Sequence, residues 1–446
     1  MSLLHLNKHQ ADPPRLEQDQ SSAAIKAGYP ASLYSAQAQP LDCLRITGQH
    51  DCDVAIIGAG YTGLNAAITL AQQGRKVILL EAKRVGWGAS GRNGGQVNIG
   101  QNKDPEQLVR MMGRDDARLL WQYGLDAVRL VRQRLSEFGI DAQAKEGISY
   151  HDCALSGLDK FQGYADAAYK HFDYDRLEVI NKSEMPEYIS SDYYQCGLLY
   201  KEGMHLNPLA YVLGLGRAAM KLGVQIYENS EVVSFSRDKV TTKEAEILAK
   251  QVLVASNGYC GDMAGRYANY VMPINSYIIA TAPIDNAVER LMPRDTAIAD
   301  EHFVVKYFRI SHDQRLVFGG RESYGLRFTQ DIAQKVKPRL SAVFPQLAEV
   351  DIDFAWGGSL GITRTRLPYF ARDKEGVYIA AGFSGHGVAM ATFGGLIAGQ
   401  AMLGDSERFD VMARIPQKLF YGGKTLRQPL LLAAMTWFSL RDRLGI

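Results

Sequence analysis

The sequence predicts an α/β protein, α+β overall, in which a parallel-sheet domain is interrupted by a discontinuous antiparallel-sheet domain. Three observations predict it. An apolar strand, a glycine turn, a helical stretch and a second apolar strand follow one another from Asp53 to Leu80. A second strand–glycine–helix run stands far downstream, from Val377 to Leu403. Between them, from Tyr270 to Gly320, short aromatic and β-branched runs dominate. The chain therefore leaves its first domain, builds a sheet and returns.

Residues 1 to about 50 are polar and carry Pro13, Pro14, Pro30 and Pro40, which reads as an extended arm. Asp53 to Ile57 and Lys76 to Leu80 are strands, and Thr62 to Gln73 between them has helical spacing. Asp116 to Phe138 is helical, with apolar residues at Leu119, Leu120, Tyr123, Val128, Val131 and Leu135. Pro208 to Leu222 is a helix capped by Asn207 and stopped by Gly223. Gln225 to Tyr227, Val232 to Phe235 and Gln251 to Ala255 read as strands. Tyr277-Ile-Ile, Phe303-Val-Val, Tyr307-Phe308 and Leu316-Val-Phe318 read as an antiparallel sheet. Val377 to Ala381 is a last strand, before the helix Val388 to Leu403. The parallel-sheet domain is thus expected in 51–110, 200–265 and 355–405. The second domain is expected in 111–199 and 266–354, with an arm at 1–50 and a tail at 406–446. Leu430 to Phe438 is too short to span a bilayer and reads as a buried or docking segment.

Across 446 residues, 50 Lys+Arg against 48 Asp+Glu leave a net charge of +2, so no single-sign field is built for nucleic acid or an anionic membrane. The five cysteines, Cys43, Cys52, Cys153, Cys196 and Cys260, are scattered without CxxC spacing. Free thiols in a reducing compartment are expected, with no disulfide framework and no metal site. The start lacks the apolar core of a signal peptide, so a cytoplasmic location is expected.

Gly58-Ala-Gly60-Tyr61-Thr62-Gly63 closes the first strand and opens the helix. Gly58 permits a tight turn, Gly60 lets backbone approach a pyrophosphate, and Gly63 lets the helix pack on the strand. The N–H groups and dipole of the helix N-terminus then favour phosphate. Glu81, ending the second strand, is placed for ribose hydroxyls, with Ala82 and Lys83 beside it. This makes the unit a Rossmann-type dinucleotide site; the loop alone does not separate NAD from FAD. From Gly86, the chain runs through Gly88, Ala89, Ser90, Arg92, Asn93, Gly94 and Gly95 to Gln96. Its glycines let backbone lie against a flat ligand, and Arg92 offers a planar fork to a phosphate or carboxylate. The downstream turn Gly382-Phe383-Ser-Gly385-His386-Gly387-Val388 precedes the second helix. Pointed at a flavin's pyrimidine edge, that helix N-terminus would stabilise the negative charge of the reduced ring, and His386 would add a hydrogen bond.

On these residues the chain resembles the D-amino-acid-oxidase-like FAD oxidoreductases. The likeness extends to Leu206-Asn-Pro-Leu209, Phe344-Pro-Gln-Leu347 and the tail Ser439-Leu-Arg-Asp-Arg-Leu-Gly445, and so covers nearly the whole chain. The resemblance implies an FAD-binding domain and a substrate domain, with Val232, Ser256, Asn257 and Gly258 added to the cofactor set. It implies oxidation of an amine, such as the terminal amine of gamma-glutamylputrescine, to an imine that hydrolyses to an aldehyde, with oxygen reduced to peroxide. Sarcosine-oxidase-like relatives carry a lysine on a strand aligned with Arg315 to Phe318, where this sequence has none. No Cys or His stands where other relatives attach their flavin; Gln96 closes the early loop, and non-covalent FAD is expected.

The chemistry asks for a dry, aromatic-walled pocket beside the flavin rather than a nucleophile. His386, Tyr307, Arg92 and Trp356 are the candidates at the reacting centre. Tyr277, Phe308 and Phe383 are further candidate walls, and Arg309 and Arg364 further candidate carboxylate binders. The rival readings are an oxidase of pipecolate, a glycine derivative, a D-amino acid or a polyamine; a quinone-linked dehydrogenase; an RNA-modifying flavoprotein; and a non-catalytic flavin-binding assembly factor.

Overall fold

The run Val-Ala-Ile-Ile at 54–57 is apolar at every position because its strand is covered on both faces. In the computed structural model, which describes residues 25, 27–259, 267–302, 304–323 and 328–421, the strand Gly48–Ile57 lies between parallel neighbours, Ala245–Val254 and Val77–Leu80. Gln225–Tyr227 and Tyr378–Ala381 extend the parallel sheet at its two sides, and Tyr369–Arg372 closes one edge antiparallel. The hairpin Val232–Phe235 and Lys239–Thr242 pairs back onto Ala245–Val254, which completes eight strands. Helices Tyr61–Ala71, Pro208–Lys221, Arg114–Glu137 and Gly387–Leu403 pack against one another beside this sheet. Tyr61–Ala71 and Gly387–Leu403 meet at backbone distance: a Cβ at Gly395 would lie 2.2 Å from the Thr62 carbonyl oxygen.

The second sheet has nine strands, running from Ile352–Ile362 through Met272–Thr281, Leu316–Ser323, Tyr307–Ile310, Ala297–Asp300, Lys145–Asp152 and Cys196–His205 to Gln96–Val97, with Leu177–Ile180 also paired to Cys196–His205. Its pairings are antiparallel except one, Ala297–Asp300 beside Lys145–Asp152, which is parallel. Helix Ile332–Val343 covers the outer face. Tyr277, Phe308, Phe318 and Phe344 are buried together in the core cluster there. The expected segment limits at 200 and 355 fall inside single strands, Cys196–His205 and Ile352–Ile362. The chain passes between the sheets at strand ends, notably through the stretch leading into Gln96–Val97.

Three sequence expectations need correction or placing. The extended arm is not what the structure has between residues 29 and 41. A capping box between Ser32 and Ser35 starts the short helix Leu33–Gln37. Tyr29, Leu33 and Tyr34 are buried, with the Tyr34 ring edge-on to Trp356 at 5.2 Å. The proline pattern carried no information about those apolar anchors. Strands Gly48–Ile57 and Ala245–Val254 start several residues earlier than the apolar pattern suggests. The first half of Gly48–Ile57 is polar and more exposed and is held by backbone pairing, whereas the first half of Ala245–Val254 alternates buried Ala245, Ile247 and Ala249 with more exposed neighbours. Phe303, Cys260, residues 1–24, Leu430 to Phe438 and the rest of the tail beyond Tyr421 lie outside the described residues. Among those described, no single helix is long and apolar enough to cross a membrane, and Gly387–Leu403 owes its apolar character to burial on nearly every side.

Two buried histidines make the fold sensitive to acid. His151 is shielded beside Ser149, 3.0 Å away, and His205 lies 2.8 Å from the Asp295 carbonyl oxygen. Burial lowers each pKa to about 3. In the unfolded chain they titrate near about 6.5. Between those values the unfolded state binds protons that the folded state refuses, so stability is lost as pH falls from about 6.5 toward 3. His205→Gln, which keeps a donor for the Asp295 carbonyl, is expected to flatten the dependence of unfolding free energy on pH in that window. The change should be up to about 1.4 kcal/mol per pH unit; an unchanged slope in denaturant titrations at several pH values would refute this. Gly395→Ala is expected to destabilise the holoenzyme by about 1–3 kcal/mol in thermal unfolding, because the colliding atom belongs to backbone.

Candidate active site

The three glycine-bearing segments singled out in the sequence meet at one place. The Tyr61–Ala71 helix begins at Gly60, which supplies no side-chain cap, and the Gly387–Leu403 helix begins at His386, again with no side-chain cap. Both N-termini open on the same cavity, of about 370 Å³, where the Tyr61 N–H donates to the Ser90 hydroxyl at 3.1 Å. Two helix dipoles thus aim positive ends at one volume. From the expected cofactor set, Gly60, Tyr61, Thr62, Ala89, Ser90, Arg92, Asn93, Gly94, Gln96, Asn257, Phe383, Gly385, His386, Gly387 and Val388 line it. Tyr307 lines it from the second sheet, its hydroxyl 3.1 Å from the Ser276 hydroxyl.

Other residues of the expected cofactor set lie behind the cavity surface. Gly58, at φ +107°, makes the turn, and a Cβ at Gly63 would sit 1.9 Å from the Gly58 carbonyl oxygen, so the helix rests directly on the loop. A Cβ at Gly95 would meet the Leu206 carbonyl oxygen at 2.0 Å. Gly88 lies under the Tyr259 ring and Gly258 against Gly361. Asn257 accepts from the Gly382 N–H at 2.9 Å, which fastens the second turn to the end of Ala245–Val254. Ser256 follows that strand, its hydroxyl 3.4 Å from the Tyr267 hydroxyl. Glu81 is half-buried, and its two carboxylate oxygens accept from the Ala59 and Lys83 N–H groups at 2.9 Å each. Burial raises its pKa, and those backbone donors oppose the rise. A second cavity of about 260 Å³ lies on that side, lined by Ala82, Lys83, Asn229, Ser230 and Glu231 among others, next to Val232.

The structure moves several candidates out of the pocket. Trp356 is buried, packs on Tyr34 and donates to the Arg92 carbonyl at 3.1 Å; it is not a cavity wall. Tyr277 and Phe308 face the other side of the sheet, because alternate residues of a strand point to opposite faces. Ser276 and Ile278 take the cavity side instead. Arg309 is committed to the Gly94 carbonyl at 2.9 Å and the Tyr34 hydroxyl at 3.3 Å. Arg364 is committed to the Leu419 carbonyl at 2.8 Å and the face of Tyr421. Arg92 lines the cavity, yet its Nε donates to the Trp87 carbonyl at 2.6 Å and its Nη1 to the Gly357 carbonyl at 3.1 Å, with the guanidinium stacked on Trp87. The segment Arg315 to Phe318 does not line the cavity, and Arg315 pairs with Asp313 and Asp353. Sequence reasoning missed Tyr150, Asn98, Asn102 and Arg366, which line the cavity. Strand alternation in Lys145–Asp152 was the available signal for Tyr150; nothing in the sequence separates Arg366 from Arg364.

The residues present fit FAD. Around the cavity, Arg92 Nη2, Gln96 Nε2 and His386 Nε2 are buried polar atoms without a hydrogen-bond partner among the described residues. Such groups are costly unless a ligand satisfies them. Burial pushes the His386 pKa down to about 4, against the nearby carbonyls of Asn98, Gly100 and Ile99. The imidazole is therefore neutral at pH 7. Among the described residues, no group of three His, Cys, Asp or Glu side chains is placed to hold a metal ion.

The site defines a flavin-dependent oxidoreductase, and comparison with known proteins agrees. The chain belongs to the FAD dependent oxidoreductase family, whose model matches residues 53–401. It is 34% identical over 429 residues to gamma-glutamylputrescine oxidoreductase of Escherichia coli (strain K12), covering 93% of this chain and 99% of that protein. The fold matches glycine oxidase from Geobacillus kaustophilus with a TM-score of 0.70 at 19% identity, over 83% of this chain and all of that one. It matches L-proline dehydrogenase from P. horikoshii with a TM-score of 0.69 at 21% identity, over 82% and 98%.

Glu81→Gln places an amide where two backbone N–H groups now find carboxylate oxygens, and leaves one of them unpaired. FAD affinity of the apoprotein, followed by flavin fluorescence quenching, is expected to fall roughly 10- to 100-fold, in line with losing a charge-assisted acceptor. Wild-type affinity in this variant would remove Glu81 from the cofactor site.

Proposed function

We propose that the chain oxidises the terminal primary amine of gamma-glutamylputrescine, or of a closely similar amine, to an imine that hydrolyses to the aldehyde. The name of the Escherichia coli relative suggests the substrate. One physical observation carries the reading. The cavity lining holds two guanidiniums, Arg92 and Arg366, two helix N-termini and no Asp, Glu or Lys side chain. No carboxylate of the lining pairs with an ammonium entering it, and loss of water there lowers its pKa and favours the free amine. The free base is the reactive form, because its lone pair assists loss of the α-hydrogen with its electron pair.

Bound FAD supplies the two-electron acceptor. The chain's own residues hold, dry and deprotonate the amine. His386, kept neutral by burial, offers its unpartnered Nε2 as a proton acceptor in the tautomer protonated at Nδ1. Tyr150, Ile278, Tyr307 and Phe383 exclude water along the walls. In each turnover one C–H bond breaks with both electrons leaving to the acceptor, one proton leaves nitrogen, and a C=N bond forms. Oxygen as final acceptor, giving hydrogen peroxide, and non-covalent FAD beside Gln96 complete the reading. The free thiols Cys43, Cys52, Cys153 and Cys196 fit a reducing, cytoplasmic setting.

The test is anaerobic mixing of the yellow holoenzyme with gamma-glutamylputrescine. Full bleaching of the flavin absorbance is expected, with recovery and one peroxide per aldehyde once air is admitted. A flavin that stays oxidised rejects this substrate; bleaching without reoxidation by air rejects oxygen and points to a quinone.

A further inference from the structure

We infer that the mouth of the cavity reads a carboxylate on the far end of the amine substrate, with Arg366 as the specificity-determining residue. The inference rests on the proposed amine oxidation and names which part of the substrate the protein selects.

The two guanidiniums that line the cavity are in different states. Arg92 is built in, with Nε and Nη1 on backbone carbonyls and its plane against Trp87. Arg366 also lines the cavity, but its guanidinium has no hydrogen-bond or ion-pair partner among the described residues. Its backbone is nonetheless firmly placed. Arg366 sits at φ +64°, a region that costs a side-chain-bearing residue energy unless its surroundings enforce it. The surroundings do enforce it: the Arg366 N–H donates to the Thr363 carbonyl at 3.2 Å. The Thr363 hydroxyl donates to the Leu367 carbonyl at 2.7 Å, and the Thr365 hydroxyl to Gln417 at 3.3 Å. A rigid turn thus delivers an uncommitted guanidinium to the cavity.

The neighbourhood reinforces the sign of the charge. Lys103 is partly buried nearby, and its pKa is lowered by that burial and then by the charges of Arg366 and Lys418. The acid in this group, Asp104, is engaged in capping, its carboxylate accepting from the Gln107 N–H at 2.7 Å. Asn102, also on the cavity wall, donates to the Ser384 carbonyl at 2.9 Å and fixes the lip opposite the second glycine turn. Lys103 thus stands as a second cation near Arg366 on this side of the cavity. An arginine fork pairs with a carboxylate through two parallel charge-assisted hydrogen bonds. A free diamine brings only positive charge and is disfavoured. The substrate class is an ω-amino compound whose opposite end carries a carboxylate.

The experiment compares holoenzyme and its Arg366→Gln and Arg366→Lys variants on two substrates with the same reacting amine. One is gamma-glutamylputrescine; the other is N-butyrylputrescine, which lacks the carboxylate. Arg366→Gln is expected to raise KM for the carboxylated substrate about 10- to 100-fold, with kcat nearly unchanged. N-butyrylputrescine, which shares only the loss of the Arg366 charge, should lose far less, and Arg366→Lys should restore part of the difference between the two substrates. A second arm needs no turnover: glutarate is titrated into the oxidised holoenzyme and its binding read from the flavin spectrum. Glutarate should bind wild type, weaken with salt, and bind Arg366→Gln at least 10-fold less tightly. Equal losses on both substrates, or glutarate affinity untouched by the substitution, overturns the inference. If neither amine bleaches the wild-type flavin, the proposed reaction fails, and the glutarate arm still decides the role of Arg366.

Discussion

The whole arrangement depends on one stretch of backbone, residues 86–97, being able to thread between two sheets at contact distance. A Cβ at Gly91 would strike the Gly86 carbonyl oxygen at 2.3 Å, and the Tyr307 ring lies across Gly94. Three hydrogen bonds then tie the thread to the second sheet: Arg92 to the Gly357 carbonyl, Trp356 to the Arg92 carbonyl, and Arg309 to the Gly94 carbonyl. Trp356 and Arg309 build the cavity's frame, while Arg92 belongs to both the frame and the lining. The thread ends in the strand Gln96–Val97, so the glycine-rich stretch and the second sheet share backbone and form one wall.

A second theme is the one-sided electrostatics of that wall. Helix N-termini and guanidiniums gather there, and the lining offers no carboxylate to balance them. Such a field costs stability in an empty site and is compensated by anionic ligands, a diphosphate first of all. It also biases a bound amine toward its neutral form without dedicating a strong base to the task. His386 fits the pattern: burial holds the ring neutral, as a hydrogen-bond acceptor beside a positive helix end.

What was legible in the sequence follows the range of the forces involved. The glycine loop at 58–63, Glu81 and the turn at 382–388 were readable because each meets a local backbone demand: a left-handed angle at Gly58 and Gly382, and close contact at Gly63. The choice of pocket aromatics was not. Tyr277 and Trp356 were aromatic residues in the right strands, but which strand face meets the cofactor is set by sheet packing across hundreds of residues. Ser276 and Ile278 flank Tyr277 and take the cavity side that the larger ring suggested for itself. Tyr34, far from any motif, fills the space beside Trp356 and Arg309 and turns an apparent arm into part of the frame. Arg364 and Arg366 differ only in which side of a tight turn they occupy, and that is decided by the φ of +64° at Arg366.

The order in which the pieces appear along the chain has a consequence for biogenesis. Tyr61–Ala71 emerges early, yet the helix that covers it, Gly387–Leu403, and the strand beside Ala245–Val254, Tyr378–Ala381, are among the last described parts to leave the ribosome. A nascent chain therefore carries an uncovered, glycine- and alanine-rich helix face for most of its synthesis, and half of its flavin pocket is missing throughout. Prosthetic-group loading must be a late, post-translational event, and truncated or stalled chains should fall to quality control as colourless, aggregation-prone fragments.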